Sequence, residues 1–154
     1  MKYAAFLRGI GPSNPNMHGS QLRKFFEGLG FRNVQAIISS GNVVFETGQK
    51  NTKALEKKIE AALPQKLSFT STTIIRSQQE LKKLVESDPF NGVADTPTSR
   101  LNVTFLKKGG EIFTIINPTD IKTPVIMRNL EKQHGKEITT RTLKTVLRVL
   151  KKME

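Results

Sequence analysis

The chain predicts an α+β fold of the ferredoxin-like kind, and three features of its pattern carry the expectation. Short β-rich runs show alternating apolar residues, and between them apolar residues recur at helical spacing. Over the first 76 residues these runs come in the order strand, helix, strand, strand, helix, strand. That order is the split βαβ unit, in which two crossovers put both helices on one face of a four-stranded antiparallel sheet.

Each element has its own signal. Residues 2–8 read as a strand, with Tyr3, Ala5 and Leu7 on one face and Ala4 and Phe6 on the other. Leu22, Phe25, Phe26 and Leu29 follow at i, i+3, i+4, i+7, so residues 20–29 form an amphipathic helix that Gly30 ends. VQAII and NVVFE are strand-like runs joined by SSG, a tight hairpin. A helix from Thr52 to Leu63 presents Leu55, Ile59, Ala62 and Leu63, and Pro64 closes it. TSTTIIR is the fourth strand. SQQELKKLVES is a helix opened by a capping box of Ser77 and Glu80. After a Pro/Asp/Thr loop at 88–99, RLNVTFL and EIFTIIN form a hairpin around KKGG, and helices complete the chain. The organisation is a ferredoxin-like subdomain over residues 1–88 and a smaller α+β subdomain, a hairpin plus C-terminal helices, over residues 89–154.

The 154 residues suffice to bury about 70% of the unfolded surface without staples. No cysteine is present, which excludes disulfides and thiolate chemistry. The start, MKYAAFLRGI, lacks the apolar core of a signal peptide, and no apolar run approaches the roughly 20 residues of a membrane helix. A cytoplasmic protein without a membrane partner is expected. The net charge of +12 points to anionic partners, nucleic acid or phosphorylated small molecules. Residues 122–154 carry nine basic residues against Glu131, Glu137 and Glu154, so half of the net charge lies in the last fifth of the chain.

Candidate chemistry is sparse. The glycines of FLRGIGPSNPNMHGS lack both a Walker lysine and dinucleotide spacing, so the loop is expected to be a mobile connection and not a triphosphate cradle. His18 and His134 have no second ligand at metal spacing, and no metal or cofactor is expected. His134, before Gly135, reads as a helix end, where a cation favours the macrodipole. No carboxylate pair or serine elbow assembles from local spacing, so the sequence leans away from an enzyme. Arg8, at a strand end, is a guanidinium fork for an anion or for a salt bridge to a helix. In ITTRTLKTVLRVLKKM, Leu143, Val146, Leu147 and Leu150 form an apolar stripe on a helix over residues 140–152. Opposite them Arg141, Lys144, Arg148, Lys151 and Lys152 form a cationic ridge. With Thr139 and Thr140 as N-caps beside Arg141, this helix start has the ingredients of an anion site. Base stacking on the sheet is disfavoured, because NVVFE offers a single aromatic and Phe45 is expected to face the helices.

KYAAFLRGI, LRKFFEGLGF, IISSGNVVFE, DPF, LNVTFL and LEKQHGKEITTRTLKTVLRVL, in that order, resemble the domain-of-unknown-function 1697 family of uncharacterised, mainly bacterial proteins. The resemblance implies a ferredoxin-like half followed by a smaller α+β half, and it brings no established reaction. The positions matching family motifs are Arg8, Gly9, Asn16, Ser40, Gly41, Asn42, Thr140, Arg141 and Thr145. Where relatives carry NVGG after the first strand, this chain has Gly11, Pro12, Ser13 and Asn14.

Three functional classes follow. The first is an anion-binding module whose C-terminal helix meets nucleic-acid phosphates through Thr140, Arg141, Lys144, Arg148 and Lys151. The second is an enzyme or sensor for a small phosphorylated molecule, with Arg8, Asn42 and Arg141 around a pocket. The third is a scaffold or interaction domain in which the charge is incidental.

Overall fold

The computed structural model describes residues 1–8, 19–37, 41–120 and 122–154. The opening glycine loop and Gly9, Asn16, His18 and Ser40 therefore lie outside the described residues. The first half follows the expected order: β1 (Lys2–Leu7), α1 (Gly19–Gly28), β2 (Arg32–Ala36), β3 (Asn42–Glu46), α2 (Thr52–Leu67) and β4 (Thr73–Ser77). Its sheet has the order β2-β3-β1-β4, antiparallel throughout. Alternation along β1 sorts its residues as the sequence predicts. Tyr3, Ala5 and Leu7 join Phe45 and the inner faces of α1 and α2 in one core, where Phe25, Phe26, Leu55 and Ile59 are buried and Leu29 packs at the margin. Gly19 opens α1 against β2, and a Cβ there would meet that of Ala36 at 3.2 Å.

Ala4, Phe6, Val44 and Ile74, on the sheet's other face, build a second core with residues of the remaining elements. These are α3 (Gln78–Glu86), β5 (Arg100–Leu106), β6 (Glu111–Ile116), α4 (Thr123–His134), β7 (Ile138–Thr142) and α5 (Leu143–Lys152). Leu81 and Leu84 of α3, Val103 and Phe105 of β5, and Val146, Val149 and Leu150 of α5 fill that core. The surface on which an RNA-recognition sheet would stack bases is therefore interior here. Phe45 faces α1 and α2, as expected. The Ser77–Glu80 capping box is formed in both directions, at 3.0 and 3.2 Å. The KKGG hairpin joins β5 to β6, and His134 is the last residue of α4.

Three expectations are corrected. Pro64 does not close α2, which continues to Leu67. Proline removes one bond, to the carbonyl four residues earlier, but Leu63 and Leu67 both bury in the first core and hold the last turn in place. Residues 138–142 are a strand, β7, paired with β5, so the second sheet runs β6-β5-β7. Its threonines are β-branched and favour that state. The last helix accordingly starts at Leu143, capped by Thr142, whose hydroxyl accepts from Thr145 N at 3.2 Å, and not by Thr139 or Thr140. Finally, Val149 and not Leu147 completes the buried stripe of α5. Leu147 is 43% exposed and sits on the cationic face.

Candidate functional site

The two sheets are joined by two arginines and two phenylalanines. Phe6 of β1 stacks on Phe105 of β5 with ring centroids 4.5 Å apart and planes at 11°. The guanidinium of Arg141 lies over Phe6 at 5.7 Å, and that of Arg76 lies over Phe105 at 5.6 Å. Arg76, buried within β4, donates from Nε to Glu111 at 3.0 Å and from Nη2 to the carbonyls of Leu106 and Gly110 at 2.7 and 3.1 Å. It ties the first sheet to the β5–β6 hairpin.

Arg141 makes the corresponding tie from β7. Its Nε donates to Asn42 Oδ1 at 2.6 Å, and its Nη1 donates to Thr139 Oγ1 at 2.6 Å and Thr140 O at 3.0 Å. Its Nη2 donates to Leu7 O at 2.8 Å. Asn42, only 1% exposed, turns its amide nitrogen to Ile37 O at 3.2 Å. Burial lowers the Arg141 pKa from 12.5 to about 10, and the carbonyl and amide dipoles around the guanidinium take the place of water. Thr140, on the opposite face of β7, bonds Thr104 through their hydroxyls at 2.8 Å.

Arg8, following β1, pairs with Glu131 of α4, the salt bridge to a helix that its position allowed. Its Nη1 is buried without a hydrogen-bond partner among the described residues. Arg8, Arg128, Glu131, Thr139, Thr140 and Arg141 border one cleft of ≈ 320 Å³ between α4 and β7. The fold thus gathers Arg8, Asn42 and Arg141, which are far apart in sequence, at one junction, while the Thr140 side chain turns to the other face of β7. Gly41 joins them, with φ of 72° and its carbonyl accepting from Leu7 N at 2.9 Å.

Lys144, Arg148 and Lys151 are not part of that junction. They lie with Lys152 on the exposed face of α5 and make no ion pair among the described residues. Arg148, Lys151 and Lys152 share a depression with Ala36 and Ile37. Ala36 also borders a second depression with Arg23 and Lys24 of α1. Arg23 pairs with Glu27 at 3.6 Å, and the groove between α1 and Lys152 is also lined by Glu27, Glu46 and Glu154, so the basic face is that of α5. No group of three or more His, Cys, Asp or Glu side chains with metal-holding geometry occurs among the described residues.

Sequence reasoning missed Arg76, Arg128 and Glu131. Arg76 had a visible signal, a lone charge ending the apolar run TTII; Arg128 and Glu131 become neighbours of Arg8 only through the docking of α4.

Fold and junction together define a two-sheet α+β protein whose halves are joined by buried arginines. The chain belongs to the family described as Protein of unknown function (DUF1697), whose model matches residues 1–114. The match stops short of the TTRT stretch on which part of the resemblance rests. Among solved structures, the conserved bacterial protein SP0830 from Streptococcus pneumoniae is similar with a TM-score of 0.79 and 20% identity, over 99% of this chain and 98% of that one. At that identity the likeness is one of fold. No curated protein matches the chain.

Proposed function

We propose that the protein is a binding module for nucleic-acid phosphates, engaged by the exposed face of α5 and not by its N-terminus. The observation that carries this reading is the set of four cations, Lys144, Arg148, Lys151 and Lys152, exposed on one helix without an ion-pair partner among the described residues. From 144 to 151 the helix rises about 10 Å, enough to meet successive phosphates of a backbone. Leu147, exposed among these cations, supplies an apolar contact for a sugar or base edge. The face is open to solvent, as suits a polymer and not an enclosed metabolite. This reading assumes a cytoplasmic protein; no helix among the described residues is long and apolar enough to cross a membrane.

The test replaces Lys144, Arg148 and Lys151 together with glutamine and measures duplex binding against salt. Three phosphate contacts correspond to a slope of about −2.7 in log affinity against log salt. Wild type should therefore lose about 40-fold more affinity than the triple variant between about 50 and 200 mM salt. Equal slopes, or no binding by wild type at low salt, would refute the reading.

A second reading has its own observation. Arg8, Arg128 and Arg141 converge on the α4–β7 cleft, where Arg8 Nη1 has no partner among the described residues, and this suits a small phosphorylated molecule. Glu131 already occupies Arg8, so such an anion must compete with a resident carboxylate.

A further inference from the structure

We infer that β6 is a self-association edge through which two copies of this chain pair their β6 strands antiparallel about a two-fold axis. The argument begins with what happens at the sheets' edges, since an unpaired strand edge is a template for another chain unless something blunts it. Three of the four edges are blunted. In β2 the register breaks between Arg32 and Gln35, and Asn33 takes a left-handed φ of 50°. In β4 the outward amides of Thr73 and Ile75 donate to Glu60 and Glu56 of α2, both at 2.9 Å. In β7 the outward carbonyl of Thr140 accepts from Arg141, and the strand runs directly into α5.

The remaining edge, β6, has none of these devices. It pairs with β5 in unbroken register over six residues, without proline, lysine or bulge. Leu106 N donates to Gly110 O at 3.1 Å, which fixes the alternation. Residues 112, 114 and 116 therefore bond to β5, whereas Glu111, Phe113 and Ile115 turn their N–H and C=O groups outward. Those outward groups have no backbone partner among the described residues. Phe113 is 37% and Ile115 50% exposed, and their side chains extend the face that carries Val103 and Leu101.

A second copy fits this edge better than an unrelated strand, because the sequence is complementary to itself. With Thr114 opposite Thr114 on the axis, Phe113 faces Ile115 of the other copy, twice, as a hydrogen-bonded pair, and Ile112 faces Ile116. Glu111, the sole charge in β6, faces Asn117 and meets no like charge. The same register sets the turn carrying the exposed Lys108 beside the turn carrying the exposed Asp120 of the other copy, so their charges are complementary. A chain of net charge +12 associates most easily where its surface is nearly neutral, and β6 is such a place.

The test measures the oligomeric state of the full chain by sedimentation across a range of concentrations. Wild type should form dimers, and Ile115→Lys, which places a charge in a half-exposed position, should be monomeric with an unchanged circular dichroism spectrum. The absence of cysteine allows a register test. Thr114→Cys removes a hydroxyl that makes no hydrogen bond among the described residues and should give disulfide-linked dimers on oxidation. Opposed residues of a non-hydrogen-bonded pair have Cα atoms about 4.5 Å apart, within disulfide reach. A wild type that stays monomeric at every concentration, an Ile115→Lys variant that remains dimeric, or cross-linking through Phe113→Cys but not Thr114→Cys each overturns the proposal.

Discussion

Replacing Arg141 with methionine keeps an unbranched apolar stem but removes every donor, together with the guanidinium that lies over Phe6. The acceptors left behind decide the cost. Leu7 O and Asn42 Oδ1 belong to residues that are 2% and 1% exposed, so water cannot take over from the guanidinium without opening the junction. Each buried acceptor left unpaired costs about 1–3 kcal/mol. Thr139 Oγ1 and Thr140 O, which also accept from the group, add smaller losses. The total expected is about 3–5 kcal/mol, a large share of the roughly 5–15 kcal/mol that holds a domain together. Arg141→Lys retains the charge, but its single ammonium cannot span acceptors on β1, β3 and β7 at once, so it should recover about half of the loss. Urea denaturation followed by circular dichroism measures both. The effect should be flat across neutral pH, because Arg141 titrates only near 10. The unfolded chain holds that proton more tightly, so any change in this contribution is a gain in stability as pH rises above about 10. A loss below about 1 kcal/mol in Arg141→Met would show that the junction does not depend on the guanidinium.

Phe26→Ala should cost about 3–5 kcal/mol, since the ring is wholly buried between Phe25, Phe31 and Phe45; an unchanged melting temperature would contradict that packing. Thr142→Ala should cost about 1 kcal/mol by removing the α5 cap, whereas Thr140→Ala should leave the α5 terminus intact, a contrast that amide exchange at Thr145 reads directly. If the α4–β7 cleft takes a small anion, calorimetry with pyrophosphate should show binding that Arg8→Gln removes and Glu131→Gln strengthens. Identical isotherms for the three chains would exclude the cleft.

Most of the first half is legible in the sequence because its signals are local. Alternation in KYAAFL and helical spacing in LRKFFEGL each name an element and its inner face, and the Ser77–Glu80 box fixes a helix start to the residue. The failures occur where a tertiary contact outweighs a local rule. Pro64 argues for a helix end, yet burial of Leu67 carries α2 onward. ITTRT continues smoothly into the spacing of Leu143, Val146 and Leu150, so its threonines look like helix caps until β5 supplies a strand partner. The same misreading made Arg141 part of a surface ridge. The grouping of Arg8, Asn42 and Arg141 was legible through the family motifs, but its role as a junction was not, because Phe6, Leu7 and Gly41 become its partners only when both sheets are assembled.

The surplus of positive charge is also not uniform, and the fold explains where it accumulates. Several of the few carboxylates act at the junctions: Glu56 and Glu60 cap β4, Glu111 holds Arg76 and Glu131 holds Arg8. Each acid in such a place is unable to neutralise a cation on the outer face of α5. The junctions therefore take up arginines together with their counter-charges, and Lys144, Arg148, Lys151 and Lys152 make no ion pair among the described residues. On the proposed reading, stability and phosphate affinity rest on separate sets of residues. Removing the Glu111 carboxylate should destabilise the chain without changing its salt-dependent binding, because Arg76 loses an ion pair deep in the fold and α5 loses nothing. Neutralising the α5 cations should do the reverse. A Glu111→Gln variant with weakened duplex affinity and an unaltered urea midpoint would break this separation, and with it the assignment of the exposed helix face as the surface that meets phosphate.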